Sequence, residues 1–86
     1  MTANMNIREI FARNLRKLRH ANRLSQEKLA HLAGIDRTYV SSLERSIYSP
    51  TIDMVATLAT ILGVPPEDLL RADLTVPVRD EMTSEG

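Results

Sequence analysis

Apolar residues recur every three to four positions along most of this chain, interrupted by short polar breaks. Ile7, Ile10, Phe11, Leu15 and Leu18 form the first such stripe, the period of an amphipathic helix between Asn6 and Asn22. Its other face carries Arg13, Arg16, Lys17 and Arg23. Ser25 then offers a side-chain cap, and a second helix is predicted from Gln26 through Leu29, Ala30, Leu32 and Ala33 to a stop at Gly34. Lys28 stands where a capping box would want an acid, so Ser25 caps alone. Asp36 caps a third helix from Arg37 to about Arg45, with Val40 and Leu43 facing inward. Pro50 disfavours helix at Ser49, which makes 46–50 a loop, and Thr51 caps the next helix. That fourth helix, Ile52 to Leu62, presents Ile52, Val55, Leu58, Ala59 and Leu62 as its core stripe and ends at Gly63. Pro65-Pro66-Glu67-Asp68-Leu69-Leu70 reads as a fifth short helix, since proline fits a first turn and acids favour an N-terminus. The expectation is an all-α, compact five-helix domain over residues 1–74 with a polar tail at 75–86.

Composition narrows this further. A chain of 86 residues buries one small core, so one domain is expected. With 43% hydrophobic residues but only 3% aromatic ones, that core is aliphatic, which suits helices better than a sheet. The absence of cysteine excludes disulfides and thiolate metal sites and agrees with a cytoplasmic setting. No stretch of about 18 apolar residues and no cleavable leader is visible, so neither membrane nor secretion is expected. The formal net charge of +0 hides a split: residues 1–50 hold nine Lys/Arg against four acids, and residues 51–86 hold two against seven. Such a chain can turn a positive face to phosphate and an acidic one away.

The second and third helices, joined by a short glycine turn, make a helix-turn-helix. A helix fits the major groove of B-DNA, where its N-terminal residues reach the base edges. Those residues are Arg37, Thr38 and Tyr39. Arg37 can donate two hydrogen bonds to a guanine, and the Thr38 methyl or the Tyr39 ring can lie against a thymine methyl. Tyr39 has a second possible role, as a half-buried residue of the core. Nothing points to catalysis. His20 and His31 lack partners at zinc-ligand spacing. Ser25, Ser41 and Ser42 show no organised His/Asp partner, Glu67-Asp68 reads as a helix start, and no glycine-rich phosphate loop is present. Neither an enzyme nor any cofactor or metal is expected.

The stretch LRKLRHANRLSQEKLAHLAGIDRTYVSSLERSIYSPTIDMVATLATILGV resembles the Cro/repressor-type (XRE) helix-turn-helix family. The LSQ-x-x-LA-x-x-AG turn, the SxxER helix end, the proline after the loop and the LA-x-x-LGV ending fall in register over Leu15 to about Leu70. Within that family, Ile35 to Ser41 followed by Leu43-Glu44-Arg45 is similar to the controller proteins of restriction-modification systems. The resemblance implies a lambda-repressor-like fold that binds double-stranded DNA and regulates transcription. It implies that Gln26 clamps a phosphate, that Ser42 faces the groove one turn beyond Arg37, and that Ser41, Arg45, Ser46, Tyr48 and Ser49 meet the DNA backbone. Arg16 and Lys17 either join them or form an ordinary solvated face. Arg19 and Glu44 occupy positions of a structural ion pair. The chain departs from the family at Ser46, where glycine is common, and at Ile47-Tyr48-Ser49, where basic residues are common.

One recognition helix reads few base pairs, and relatives bind two half-sites about 34 Å apart on a roughly palindromic operator. A homodimer is therefore expected. Met54, Ile61, Val64 and Leu74, with Val76, are the apolar residues left over for its interface. An RNA polymerase contact is a further expected partner. A rival reading makes the chain an antitoxin whose acidic half grips a toxin; a detached domain of a larger enzyme or ligand-sensing repressor is a third.

Overall fold

The computed structural model describes residues 6–76. Four α-helices succeed one another: α1 (Ile7–Ala21), α2 (Gln26–Ala33), α3 (Arg37–Glu44) and α4 (Ile52–Leu62). A 3-10 turn, Pro66–Leu70, comes after them, and no strand occurs among the described residues.

Each helix starts on a side chain that accepts an otherwise unpartnered backbone N–H. Asn6 accepts from Glu9 at 2.9 Å, Ser25 from Lys28 at 2.9 Å, Asp36 from Thr38 at 3.1 Å and Thr51 from Met54 at 3.0 Å. Asn6 and Glu9 complete a reciprocal capping box. The helices also end alike. Arg23, Gly34, Ser46 and Gly63 take positive φ values of 56°, 71°, 62° and 76°. The next residue, Leu24, Ile35, Ile47 or Val64, returns its N–H to the carbonyl five positions back, at 2.9 to 3.1 Å. This is the Schellman closure. Glycine adopts that conformation without strain, whereas Arg23 and Ser46 adopt it at a steric cost.

Phe11, Leu15, Leu18, Leu29, Val40, Leu43, Leu58, Leu62 and Leu69 are buried together in one core. Each stabilises the fold by about 1.5–3 kcal/mol relative to an exposed side chain. Three residues expected on apolar stripes lie outside it: Ile7, Leu32 and Ile52 are 57%, 48% and 86% exposed. Ile52 is the first residue of α4, and the first fully buried residue of that helix is Val55. Around it, Ile7, Phe11, Pro50, Val55 and Leu70 line a cavity of about 130 Å³ that opens at the surface.

The expected fifth helix is a single 3-10 turn of five residues. Pro65 and Pro66 supply no N–H, no side chain caps the start, and the carbonyls at its end are taken by another element. Asn14, fully buried on α1, donates from Nδ2 to the carbonyls of Asp68, Leu69 and Arg71 at 3.2, 3.1 and 2.9 Å. Arg13 adds bonds to the carbonyls of Arg71 and Ala72 at 3.3 and 2.7 Å. Asp68 in turn pairs with Arg71, and that hydrogen bond, together with the carboxylate's charge, raises the Arg71 pKa. Val76 still packs on the core, two residues past the expected domain end. The rest of the predicted tail, 77–86, lies outside the described residues.

Candidate nucleic-acid interface

Helices α2 and α3 pack directly on each other, joined by Gly34-Ile35-Asp36. The left-handed Gly34 turns the chain, and Asp36 restarts it as a helix by capping Thr38. This puts Arg37 and Thr38 at the exposed N-terminus of α3, with Tyr39 half-buried behind them. Exposed donors at a helix start suit both base edges and phosphate.

A buried ion pair holds the motif in place. Arg19 of α1 meets Glu44 of α3 through two bonds, Nε to Oε2 at 2.6 Å and Nη2 to Oε1 at 3.0 Å. Its third nitrogen donates to the Leu24 carbonyl at 2.9 Å. The Glu44 side chain is only 3% exposed, so its charge depends on that fork for compensation. Gln26, the first residue of α2, donates from Nε2 to Glu44 Oε1 at 3.1 Å. Arg37 donates to Gln26 Oε1 at 3.3 Å. A line of polar contacts thus runs from the core to the tip of α3.

The other expected contact residues divide. Ser41 and Ser42 are half-buried on α3, while Arg45, Tyr48 and Ser49 are exposed and Ser46 is half-buried in the loop beyond it. The left-handed φ of Ser46 explains why glycine suits that position. The Tyr39 and Tyr48 rings lie 6.3 Å apart, tilted by 44°, a favourable aromatic arrangement. Tyr39 therefore ties the start of α3 to the loop after it. Lys17 is exposed. Arg16 donates to the Glu44 carbonyl at 3.0 Å, a cation at the carbonyl end of α3, where the helix dipole favours it.

Sequence reasoning missed Asn14 and Arg13 as the pair that fastens residues 68–72 to α1. The signal was present: Asn14 sits between Phe11 and Leu18 on the apolar stripe, where a polar side chain needs partners. Met54, Ile61, Val64 and Leu74, expected as a leftover apolar patch, are half-buried and lie against this chain's own core. Among the described residues of that half, Ile52 and Leu70 are the large exposed apolar ones. Among the described residues no group of acids and histidines is placed to hold a metal ion. Among the described residues no helix is long and apolar enough to cross a membrane.

Two interlocked short helices, a capped and exposed α3 start and a buried ion pair beneath it define a DNA-binding helix-turn-helix domain of the XRE type. The profile of the family described as Helix-turn-helix matches residues 15–69, and the chain belongs to that family of transcription regulators. It is similar to the control protein C.SmaI of Serratia marcescens, 42% identical over 66 residues that span 77% of this chain and 79% of that protein. The solved structure of the restriction-modification controller protein C.AhdI from Aeromonas hydrophila superposes with a TM-score of 0.69 at 42% identity, covering 72% of this chain and 94% of that one. The hypothetical transcription factor NHTF from Neisseria superposes with a TM-score of 0.75 at 31% identity, over 98% and 95% of the two chains.

Proposed function

We propose that this protein controls transcription in the manner of a restriction-modification controller, binding a roughly palindromic operator as a homodimer in the cytoplasm. The exposed Arg37-Thr38 start of α3 carries the reading, and the likeness to C.SmaI and C.AhdI supports its context. Arg37 donates to a guanine edge; Thr38, Tyr39 and Ser42 contact neighbouring bases. Gln26, Ser41, Arg45, Ser46, Tyr48 and Ser49, with Lys17, position the backbone phosphates. Arg16 acts on DNA indirectly, by holding the end of α3. Dimerisation through the α4 half uses Ile52 and Leu70 beside the half-exposed Met54, Ile61, Val64 and Leu74. Operator position then decides whether RNA polymerase is occluded or recruited.

Selection of DNA sites from a random pool, with titration of the winner at two salt concentrations, tests the reading. An inverted repeat bound by two subunits, with affinity falling as salt rises, is the expected result. Arg37→Ala is expected to cost about 1–3 kcal/mol and to relax preference at one position in each half-site. A pool that yields no sequence, or an Arg37→Ala protein as tight and as selective as the wild type, overturns it.

A further inference from the structure

We infer that Tyr48 is a positioning residue for Tyr39: its ring, presented by the loop after α3, holds the Tyr39 ring in one rotamer and so sharpens base preference at the position Tyr39 reads. The inference rests on the proposed base contact of Tyr39 and gives the Tyr48 ring a role apart from the phosphate contact of its hydroxyl.

Tyr39 stands in the first turn of α3, half-buried and packed against the core. A tyrosine on a helix has two open wells for its first side-chain torsion. The Tyr48 ring lies 6.3 Å away, tilted by 44°, within the range over which two aromatic rings attract. That attraction exists only for the rotamer that brings the rings together, so it favours this rotamer over the other. Tyr48 can act as a support because its own backbone is fixed on both sides. Before it, the left-handed Ser46 turns the chain at a φ of 62°, and the N–H groups of Ser46 and Ile47 donate to the carbonyls of Leu43 and Ser42 at 3.2 and 3.0 Å. After it, Pro50 restricts φ, and Thr51 starts α4 by capping Met54 at 3.0 Å. Tyr48 thus lies midway between Arg45, which ends α3, and the cap of α4. The residue is 55% exposed; burial in the core does not account for its place, whereas contact with Tyr39 does.

Base reading gains from a ring that is already in place. A tyrosine that samples both wells gives up that freedom on meeting a base, which weakens the contact. Held by Tyr48, it gives the freedom up on folding instead. The two parts of Tyr48 then serve different ends: the hydroxyl is free to donate to a phosphate, and the ring supports Tyr39. Preference at one base pair therefore depends on an aromatic group that touches no base.

The chain holds two tyrosines and no tryptophan, so the near-ultraviolet circular dichroism of tyrosine reports on this pair alone. The wild-type band is expected to differ from the sum of the bands of Tyr39→Phe and Tyr48→Phe proteins; additive bands would overturn the ring contact. The DNA test compares Tyr48→Phe with Tyr48→Leu in the full chain, since both lack the hydroxyl and only the first keeps a ring. The probes are the duplex recovered by selection and its variants carrying each other base at the position that Tyr39→Leu relaxes. Tyr48→Leu is expected to discriminate there roughly 3- to 10-fold less than Tyr48→Phe, the worth of one aromatic pair, with other positions alike in the two proteins. With Tyr39→Leu added to both, the difference is expected to fall below about 2-fold, because the effects of coupled residues are not additive. A phosphate contact alone would leave the Phe and Leu proteins with the same preference. A purely structural ring would separate them in melting temperature with preference intact. Either pattern overturns the inference while leaving Tyr39 as a base contact. A Tyr39→Leu protein with wild-type preference at every position overturns both.

Discussion

Asn14→Ala is expected to destabilise the protein by about 2–4 kcal/mol although it touches no residue of the DNA-facing surface. The side chain is fully buried, and its amide donates to three carbonyls at 2.9 to 3.2 Å. Two of these keep a second donor when Asn14 is removed. The Asp68 carbonyl still accepts from the Arg71 N–H at 3.3 Å, and the Arg71 carbonyl still accepts from Arg13 at 3.3 Å. The Leu69 carbonyl, on the fully buried residue of the 3-10 turn, loses its donor outright. A stranded buried carbonyl costs about 1–3 kcal/mol, and loss of the Arg13 contacts to Oδ1 at 3.2 and 3.1 Å adds to it. Asn14→Asp separates the two contributions, since it keeps the acceptor for Arg13 and replaces the donors by a second oxygen aimed at carbonyls. It is expected to be no more stable than Asn14→Ala at neutral pH. Urea unfolding monitored by far-ultraviolet circular dichroism, at one fixed protomer concentration, gives the comparison. An Asn14→Asp protein within about 0.5 kcal/mol of the wild type, the range of an inconsequential substitution, would refute the donor argument and leave Arg13 as the reason for the asparagine.

Two further kinds of substitution probe the ends of helices and the apolar face. Ser46→Gly is expected to raise stability by about 0.5–1 kcal/mol, since relief of a φ of 62° outweighs the added freedom of the unfolded chain. Gly34→Ala is its counterpart and should cost about 1–2 kcal/mol: a Cβ there meets nothing within 4 Å, so the loss measures backbone strain alone. A destabilised Ser46→Gly protein, or a Gly34→Ala protein as stable as the wild type in the same urea titration, would contradict this account. Ile52→Lys is expected to weaken self-association at least tenfold in sedimentation while leaving the melting temperature of dilute protein unchanged, because an 86% exposed side chain contributes little to its own fold and a charge opposes an apolar contact. An unaltered dimer would remove Ile52 from the interface.

The helix boundaries are legible because they are written in local chemistry. Ser25, Asp36 and Thr51 cap where the sequence says, and Gly34 and Gly63 close where it says. These devices act within five residues and need no knowledge of the tertiary fold. The 3-10 turn reads as a helix in the sequence for the complementary reason. Prolines and acids at 65–68 resemble a helix start, and the helix is stopped by Asn14, more than fifty residues away. Period alone assigns Ile52 to the core, but the period cannot tell whether another element reaches that turn of α4. The Arg19–Glu44 pair is legible only through family likeness, because 25 residues separate the partners. The link from that pair to Arg37 through Gln26 is not legible at all, since it depends on the sense of a single amide.

The same distances change the meaning of the charge pattern. Nine basic residues in the first fifty suggest a broad positive face. Arg13 sits on the carbonyls of Arg71 and Ala72, Arg16 on the carbonyl of Glu44, and Arg19 on the Glu44 carboxylate. Arg8 borders the apolar cavity beside Ile52. The loop after α3 has Ser46, Ile47, Tyr48 and Ser49, with no Lys or Arg between Arg45 and Pro50. Arg13 and Arg16 keep their charge on neutral carbonyls and only Arg19 is cancelled, by Glu44, while each phosphate contact that the loop does not make removes about 0.9 from the logarithmic salt slope. A protein built this way gains less from charge and more from directional contacts made by a few fixed side chains. That is the setting in which the contacts proposed for Arg37, Thr38 and Tyr39 at the start of α3 carry most of the discrimination, because base edges and not phosphates distinguish sequences.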